Sequence, residues 1–267
     1  MANVLAPEKQ IAVIAALAEG SGIRQIERMT GVNRNTIMNL GTRVGKGCTR
    51  LLDAKMRDLS CGHLQFDELW GFIGKKQRRV RPEDSAEMGD VWTWVAIDAE
   101  SKLVPTFAVG KRDAQAATRF VLDVKSRLAN RVQVSTDGLV QYGWAMEMAF
   151  KGQVDFAQVV KVYDEQVEDA EVIRVDKTSR VGSPDLDMAT TSHVERLNGT
   201  TRLHMRRLTR RTYAFSKKLE NFEAAVGLHF AYYNFVKRHG TLRCTPAMAA
   251  GIEREQWTVA ELVEAAV

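Results

Sequence analysis

Three apolar segments joined by short polar links, between residues 63 and 109, constrain the fold more than any other feature of this sequence. Residues 63–73, 91–97 and 103–109 are rich in β-branched and aromatic side chains, and the first alternates apolar with polar residues. Such segments are typical of β-strands, and three in succession predict a meander. The links are a polar loop at 82–89 and a turn at 100–102.

A helix, a strand and a second helix follow the meander. Residues 113–128 have helical periodicity that places Phe120 and Val124 on one buried side. A short strand is predicted at 132–136 and an amphipathic helix at 142–150. This order of elements predicts an α/β fold with a ribonuclease H-like mixed sheet flanked by helices.

The N-terminal residues 8–44 are predicted to form three short helices. The second covers 23–29, a glycine-containing turn follows at 30–32, and the third begins with a polar face. This arrangement is typical of a helix-turn-helix, whose last helix enters the DNA major groove. Arg34 and Asn35 carry donors suited to base edges or phosphates. A small helical bundle with a polar surface is the alternative interpretation.

Three glycines after these helices predict a flexible linker. They are Gly41, Gly45 and Gly47, which disfavour a continuous helix. The predicted domains are therefore a helix-turn-helix domain over 1–50, a ribonuclease H-like catalytic domain over 60–240 and a C-terminal helical tail over 241–267.

Positive charge is concentrated in one segment near the C-terminal third. The chain has a net charge of +5, and residues 196–219 carry eight basic and no acidic residues, so the rest sums to 5 − 8 = −3. The basic residues are Arg196, Arg202, Arg206, Arg207, Arg210, Arg211, Lys217 and Lys218. Such a block is often only a solvated helix face. The alternative is a groove for a polyanion, since arginine pairs well with phosphate.

A helix predicted over 191–208 begins next to this segment. Its apolar residues form one stripe, and four polar residues fall within about 80° of one another on a neighbouring face. Those four are Glu195, Asn198, Arg202 and Arg206. One acidic side chain is thus expected beside arginines on the following turns.

Three acids lie where separate elements could bring them together. Asp67 is in the first strand, Asp137 ends the fourth, and Glu195 is in the helix just described. Three carboxylates without a cysteine or histidine cluster favour Mg²⁺ or Mn²⁺ over zinc, and two such ions can support phosphodiester chemistry. Strand alternation is expected to point Glu68 away from Asp67. Asp98 is a weaker candidate for a metal site.

The histidine, tryptophan and cysteine residues outside the predicted site are not assigned a functional role. His193 and His239 are interpreted as packing or capping residues, Trp70, Trp92 and Trp94 as core or sheet-face residues, and Cys48, Cys61 and Cys244 have no partner at ligand spacing. No apolar run approaches the roughly 18 residues that a membrane span requires. With no signal-peptide pattern either, a soluble cytoplasmic protein is expected.

Several motifs carry a resemblance to a known family. They are Phe66-Asp67-Glu68-Leu69-Trp70, Ser135-Thr136-Asp137-Gly138, Val194-Glu195-Arg196-Leu197-Asn198 continuing to Arg202, Arg207 to Thr212, Phe215-Ser216-Lys217, Tyr233-Asn234-Phe235, His239 and Thr245-Pro246-Ala247. With these motifs the chain resembles bacterial insertion-sequence transposases of the DDE type, most of all the branch named after insertion sequence one. The Glu-Arg-x-Asn motif, with a basic residue seven positions after the Glu, is the most specific.

The resemblance implies that Asp67, Asp137 and Glu195 are catalytic and bind two Mg²⁺ or Mn²⁺ ions, with Arg202 contacting DNA nearby. It implies a nucleoid-associated bacterial enzyme that binds element ends as a homo-oligomer, cuts them, and joins the 3′-hydroxyls to target DNA. The expected DNA-binding residues are Arg34, Asn35, Asn198, Arg202, Arg206, Arg207, Arg210 and Arg211. The zinc motif that often precedes the helix-turn-helix in that branch is missing from this sequence, so end recognition is expected to depend on the helix-turn-helix.

Two alternatives remain open at this stage. A structure-specific nuclease on the same fold would cut DNA without joining it. A helix-turn-helix regulator would use an inactive α/β domain as a scaffold, although three intact acids argue against that interpretation.

Overall fold

The computed structural model describes residues 5–164 and 172–267. Its strands are β1 (His63–Ile73), β2 (Gly89–Asp98), β3 (Phe107–Gly110), β4 (Gln133–Thr136), β5 (Asp155–Tyr163) and β6 (Val172–Val181). They form one six-stranded sheet in the order β3-β2-β1-β4-β5-β6. The predicted meander is confirmed by the adjacency of β1, β2 and β3.

The sheet contains both parallel and antiparallel pairs. β4 is parallel to β1, with Thr136 opposite Phe66, and β5 is parallel to β4, with Gln158 opposite Thr136. β6 returns antiparallel to β5. The predicted fold class, an α/β fold with a mixed sheet flanked by helices, is confirmed by this arrangement, while the N-terminal helix-turn-helix stays a prediction.

The helices are α1 (Pro7–Ala18), α2 (Ile23–Thr30), α3 (Arg34–Lys55), α4 (Ala114–Arg127), α5 (Val140–Phe150), α6 (Ser192–His204), α7 (Leu219–Ala231), α8 (Pro246–Ala249) and α9 (Val259–Ala266). A single 3₁₀ turn covers Gln77–Arg79, and π-helical residues Tyr232–Val236 extend α7. Asp113 caps α4, since its Oδ1 accepts a 2.8 Å hydrogen bond from the Ala116 N–H. None of the described helices is both long and apolar enough to cross a membrane.

The chain divides into two compact units, each assembled from separated segments. The helical unit comprises Met1–Lys55, Trp70–Trp92 and Asn198–Val267, and the sheet unit comprises Met56–Leu69 and Thr93–Leu197. The domain boundaries predicted from the sequence instead follow the order of the chain, and they stay a prediction about independently folding parts.

Buried aromatic residues form the core of the sheet unit. The Phe66 ring lies 5.2 Å from that of Phe120 on α4, and Trp94 lies 5.6 Å from Tyr142 on α5 in an edge-to-face arrangement. All four side chains are fully buried, which confirms the core interpretation of Trp94. Aromatic packing of this kind holds α4 and α5 against β1 and β2.

The predicted linker at Gly41, Gly45 and Gly47 is wrong, because all three glycines lie inside α3. A Cβ on Gly45 would lie 2.0 Å from the Ala224 carbonyl oxygen of α7, and one on Gly47 would lie 1.6 Å from that of Ala266. The glycines therefore permit close contact between helix backbones, and this packing outweighs their weak helix propensity.

The helix predicted over 191–208 is shorter than expected, because α6 ends at His204. The Arg202 carbonyl accepts a 3.0 Å bond from the Thr209 hydroxyl, which completes the helix end with a side chain. Arg206 therefore lies outside the helix, and its expected place on the face of Glu195 is wrong.

Three further differences concern strand and helix limits. β3 begins at Phe107 rather than 103, because Pro105 has no N–H to donate to a ladder. No strand is predicted from the sequence over 155–181, where the structure has β5 and β6. The apolar and aromatic residues over 216–236 also predict a helix there, but the segment is α-helical only from Leu219 to Ala231.

Candidate functional site

Strand register brings Asp67 and Asp137 together in the sheet unit. Phe66 of β1 pairs with Thr136 of the parallel strand β4, and each aspartate is the next residue of its chain segment. Because parallel strands run in the same direction, the two aspartates leave this pair side by side. One ligand oxygen each from Asp67, Asp137 and Glu68 all lie within 4.8 Å of one another.

Glu68 belongs to this group, so the expectation that it points away from Asp67 is wrong. Its side chain is only 1% exposed, and its Oε2 accepts a 3.1 Å bond from the Arg112 Nε. The Arg112 guanidinium also lies 4.0 Å from Oδ2 of Asp137. Alternation fixes the direction of the Cβ but not the end of a side chain with three further torsions.

The electrostatics of this group favour a cation. The pKa of Glu68 is raised to about 7, mainly by burial and also by the charges of Asp137 and Asp67, while the hydrogen bond with Tyr142 and the charge of Arg112 lower it. Carboxylates held this close repel one another unless a proton or a cation offsets their charge. Their oxygen atoms are the ligand type that Mg²⁺ and Mn²⁺ prefer, so the residues present fit such ions.

Asp137 is held in place by the loop that follows β4. Its Oδ1 accepts a 3.0 Å bond from the Leu139 N–H, and its carbonyl accepts a 3.2 Å bond from Nε2 of Gln158. The side chain is 43% exposed, so a ligand can reach it from solvent.

Glu195, the third predicted carboxylate, makes different contacts. Lys161 of β5 donates to both carboxylate oxygens, at 2.6 and 2.5 Å, and the Thr191 hydroxyl donates to one of them at 2.7 Å. Glu195 is not a member of the group formed by Asp67, Glu68 and Asp137. Because its side chain is 42% exposed, its contacts can rearrange without disrupting a core.

The start of α6 is fixed by Gln65 of β1, two residues before Asp67. Its Oε1 accepts bonds from the N–H groups of His193 and Val194, at 2.9 and 3.2 Å. These bonds satisfy free N–H groups of the helix start. One strand therefore supplies both a candidate ligand and the anchor of the helix that carries Glu195.

The weaker candidate Asp98 has a structural contact instead. Its Oδ2 accepts bonds from the Ser101 N–H and hydroxyl, at 2.8 and 2.7 Å, which stabilise the turn after β2.

Burial raises the pKa of the Cys48 and Cys61 thiols to about 12, which keeps both protonated near neutral pH.

Arg34 and Asn35 lie exposed at the start of α3, after the turn at 31–33. The Asn33 side chain accepts a 2.9 Å bond from the Asn35 N–H, and Glu27 of α2 accepts a 3.1 Å bond from the Arg34 N–H. Both side chains are therefore presented from an ordered helix start. Their interpretation as base-reading residues stays a prediction.

The predicted DNA-binding residues of the basic segment differ in exposure. Arg210 and Arg211 are exposed, and Arg206 is exposed with a 3.1 Å bond to Gln25. The Arg207 guanidinium is enclosed, and burial lowers its pKa to about 10. Asn198 is only 4% exposed, while Arg202 is partly exposed. The exposed arginines are accessible to a ligand without rearrangement, and their contact with DNA stays a prediction.

The sequence matches no protein-family model, and no curated protein matches it. Among solved structures, the chain is similar to a piggyBac transposase synaptic complex with hairpin DNA, at 10% identity and a TM-score of 0.48, over 97% of this chain and 68% of that one. It is also similar to the Mos1 mariner paired-end complex with Mn, at 12% identity and a TM-score of 0.32, over 86% of this chain and 77% of that one. A Mos1 paired-end complex with the left transposon end is similar at 15% identity and a TM-score of 0.23, over 55% of this chain and 58% of that one.

Proposed function

We propose that this chain is a DNA transposase that cuts the ends of a mobile element and joins them to target DNA. The observation that carries the proposal is the meeting of Asp67, Glu68 and Asp137 just beyond the last paired residues of the parallel strands β1 and β4. A second support is the basic segment 196–219, which contains no acid that would repel DNA. The sequence motifs favour the branch named after insertion sequence one.

Asp67 and Asp137 are the proposed ligands of two Mg²⁺ or Mn²⁺ ions, with Glu68 close enough to contribute an oxygen. When bound, two such ions activate an attacking oxygen and stabilise the leaving oxygen of a phosphodiester. Arg112 holds the buried end of Glu68 and so limits how far this carboxylate moves. The ligand oxygens therefore need little rearrangement to bind a cation.

Glu195 is proposed as the third acid of an Asp-Asp-Glu set. Its contact with Lys161 involves two partly exposed side chains, and such pairs contribute only about 0–1 kcal/mol. Glu195 can therefore leave Lys161 at little cost once a cation and DNA are bound. Lys161, once released, is free to pair with a phosphate.

DNA contacts are proposed for two regions of the chain, the start of α3 and the face of α6 that carries Arg202. Arg34 and Asn35 would read base edges at the element end, as in a helix-turn-helix. Arg202 would contact phosphate; it lies seven residues after Glu195 on α6, which is 700° and so about 20° short of two turns. Two element ends have to be held together for joining, which favours a homo-oligomer on DNA.

The reaction balances without an oxidant or reductant. Water attacks a phosphodiester at the element end, and the broken P–O bond leaves a 3′-hydroxyl and a 5′-phosphate. That hydroxyl attacks a target phosphodiester, so one P–O bond forms as another breaks. The protein's task is to hold both strands in line for each displacement.

The test uses the full chain with labelled DNA from both flanks of its coding region, in Mg²⁺, in Mn²⁺ and in EDTA. We expect end cleavage and joined products with either metal and neither product in EDTA. Cleavage without joining would support the nuclease instead, and binding without cleavage would support the regulator. Undiminished cleavage in EDTA would overturn the metal-dependent mechanism.

A further inference from the structure

The connection between α6 and α7, residues 205–218, is a loop with an exposed tip, and hydrogen bonds among its own polar groups hold it together. The Thr212 hydroxyl donates to the Arg206 carbonyl at 2.6 Å, and its Oγ1 accepts a 2.9 Å bond from the Ala214 N–H. The Thr209 hydroxyl donates to the Arg202 carbonyl at 3.0 Å. Internal bonds of this kind reduce the conformational freedom that a long loop otherwise has.

The base of this loop is also fixed within the helical unit. The Arg207 guanidinium donates to the Ser216 hydroxyl and to the Asn221 carbonyl, both at 2.7 Å. The ring of Phe215 packs 4.9 Å from that of Phe72. The loop is therefore anchored on both sides of its tip, 209–213.

Tyr213 projects from this tip into solvent. Its side chain is 100% exposed, and no other large apolar or aromatic side chain in the described part of the chain is as exposed. Arg210 and Arg211 beside it are exposed as well. A ring without burial gives no packing energy to the fold, so the whole Tyr213 ring is available to a ligand.

The surrounding charges identify the chemistry of that ligand. An aromatic ring among exposed arginines suits single-stranded nucleic acid, whose bases stack on the ring while its phosphates pair with guanidinium groups. A base inside a duplex is stacked on both faces, so a ring reaches one only at an end, a nick or an unpaired position.

We propose that Tyr213 stacks on an unpaired DNA base at the cut element end, while Arg210 and Arg211 pair with the neighbouring phosphates. This inference rests on the proposed transposase function and assigns the loop 205–218 a part in holding the processed end. It predicts a preference for DNA with a single-stranded tail over blunt duplex.

The experiment compares binding of the full chain to a blunt duplex and to the same duplex with a short single-stranded tail that contains 2-aminopurine. We expect Tyr213→Ala to weaken binding of the tailed DNA about 5- to 150-fold and binding of the blunt duplex less than about twofold. Tyr213→Phe keeps the ring and should bind both DNAs as the unchanged protein does. The fluorescence of 2-aminopurine should be quenched by the unchanged protein and by Tyr213→Phe, but not by Tyr213→Ala.

Two further variants separate stacking from charge. Trp144→Ala removes another exposed aromatic ring, 67% exposed on α5, and should leave both affinities unchanged. Arg210→Ala should weaken binding to both DNAs and reduce the steepness of log affinity against log salt concentration by about one unit.

Equal losses on both DNAs, or no loss with Tyr213→Ala, would overturn the stacking role. A change in sedimentation with Tyr213→Ala but no change in DNA preference would assign the ring to a protein contact and also overturn it. If the unchanged protein cuts and joins DNA but Tyr213→Ala still prefers the tailed DNA over the blunt duplex, only this inference fails. If the unchanged protein binds neither DNA, the proposed function fails too.

Discussion

Strand-borne and helix-borne acids in this protein are positioned by different forces. Asp67 and Asp137 follow paired residues of β1 and β4, so backbone hydrogen bonds between the strands set their separation. Glu195 lies in the first turn of α6, and its carboxylate position depends on side-chain contacts with Lys161 and Thr191. The first pair is in place before any ligand binds, while Glu195 is held by contacts that it can exchange.

This difference predicts separate roles for the two kinds of acid. Backbone pairing is cooperative, and moving one residue would disturb a whole ladder. A partly exposed ion pair is weak, so Glu195 can change partner at small cost. The strand-borne acids should therefore determine metal affinity in the free protein, whereas Glu195 should matter once substrate is bound.

The largest expected effect comes from removing either kind of acid. Asp67→Asn, Asp137→Asn and Glu195→Gln should each reduce cleavage about 1000-fold or more, because metal-assisted charge stabilisation contributes several kcal/mol. Only the two aspartate variants should also lose Mn²⁺ affinity in the DNA-free protein, measured by calorimetry. DNA binding should survive in all three, since each loses a charge that repels phosphate.

The matched control is Glu83→Gln, which neutralises an exposed carboxylate in the 82–89 loop. It should change neither cleavage nor Mn²⁺ affinity. If Glu195→Gln lowers Mn²⁺ affinity of the free protein as much as Asp67→Asn does, then Glu195 is already a ligand before DNA binds and the contrast is wrong.

Adding a side chain at the close contact between α3 and α7 should destabilise the fold. Gly45→Ala places a methyl group 2.0 Å from the Ala224 carbonyl oxygen, so α3 and α7 have to separate. We expect the free energy of unfolding to fall by about 3 kcal/mol in urea titrations, at the upper end for overpacking. Gly143→Ala on α5 meets nothing within 4 Å and should change stability by at most about 1 kcal/mol, in the stabilising direction. Equal effects of the two substitutions would contradict the packing argument.

The strands could be predicted from the sequence because their patterns are local. β1 is observed with the predicted bounds, and Asp67 and Asp137 are brought together as expected. β6 escaped prediction because it is exposed along most of its length, whereas β5 was missed although residues Phe156 to Val159 are buried. Pairing with a neighbour, which local patterns do not contain, stabilises such an edge strand.

The wrong predictions for the α3 glycines and for the direction of the Glu68 side chain have a shared physical origin. Gly41 and Gly45 are four residues apart, a spacing that places both on one helix face and that could have signalled close packing. The neighbour of Gly45, Ala224 of α7, lies far along the chain, so this contact was not visible locally. The end of Glu68 likewise depends on Arg112, a residue 44 positions away.

Removing Arg112 should have an intermediate effect. Arg112→Ala leaves the buried Glu68 carboxylate without its guanidinium, and such losses cost up to 3–5 kcal/mol when both partners are buried. Because Arg112 is 38% exposed, we expect about 2 kcal/mol of destabilisation. The double variant Glu68→Gln with Arg112→Ala should recover most of this loss, as a double-mutant cycle in urea would measure. Additive losses would mean that the two side chains do not depend on each other.

The smallest expected effect concerns Lys161, and it tests whether the contact of Glu195 is exchangeable. Lys161→Met keeps the length of the side chain and removes its charge, so Glu195 loses a partner that is 28% exposed. Stability should change by less than about 1 kcal/mol, because partly exposed ion pairs contribute little. The Mn²⁺ concentration needed for half-maximal cleavage should fall about two- to fivefold, since the cation no longer competes with an ammonium group for Glu195. An unchanged Mn²⁺ requirement would mean that Lys161 does not compete with the cation for Glu195, and a loss of stability above about 2 kcal/mol would make Lys161 part of the fixed scaffold.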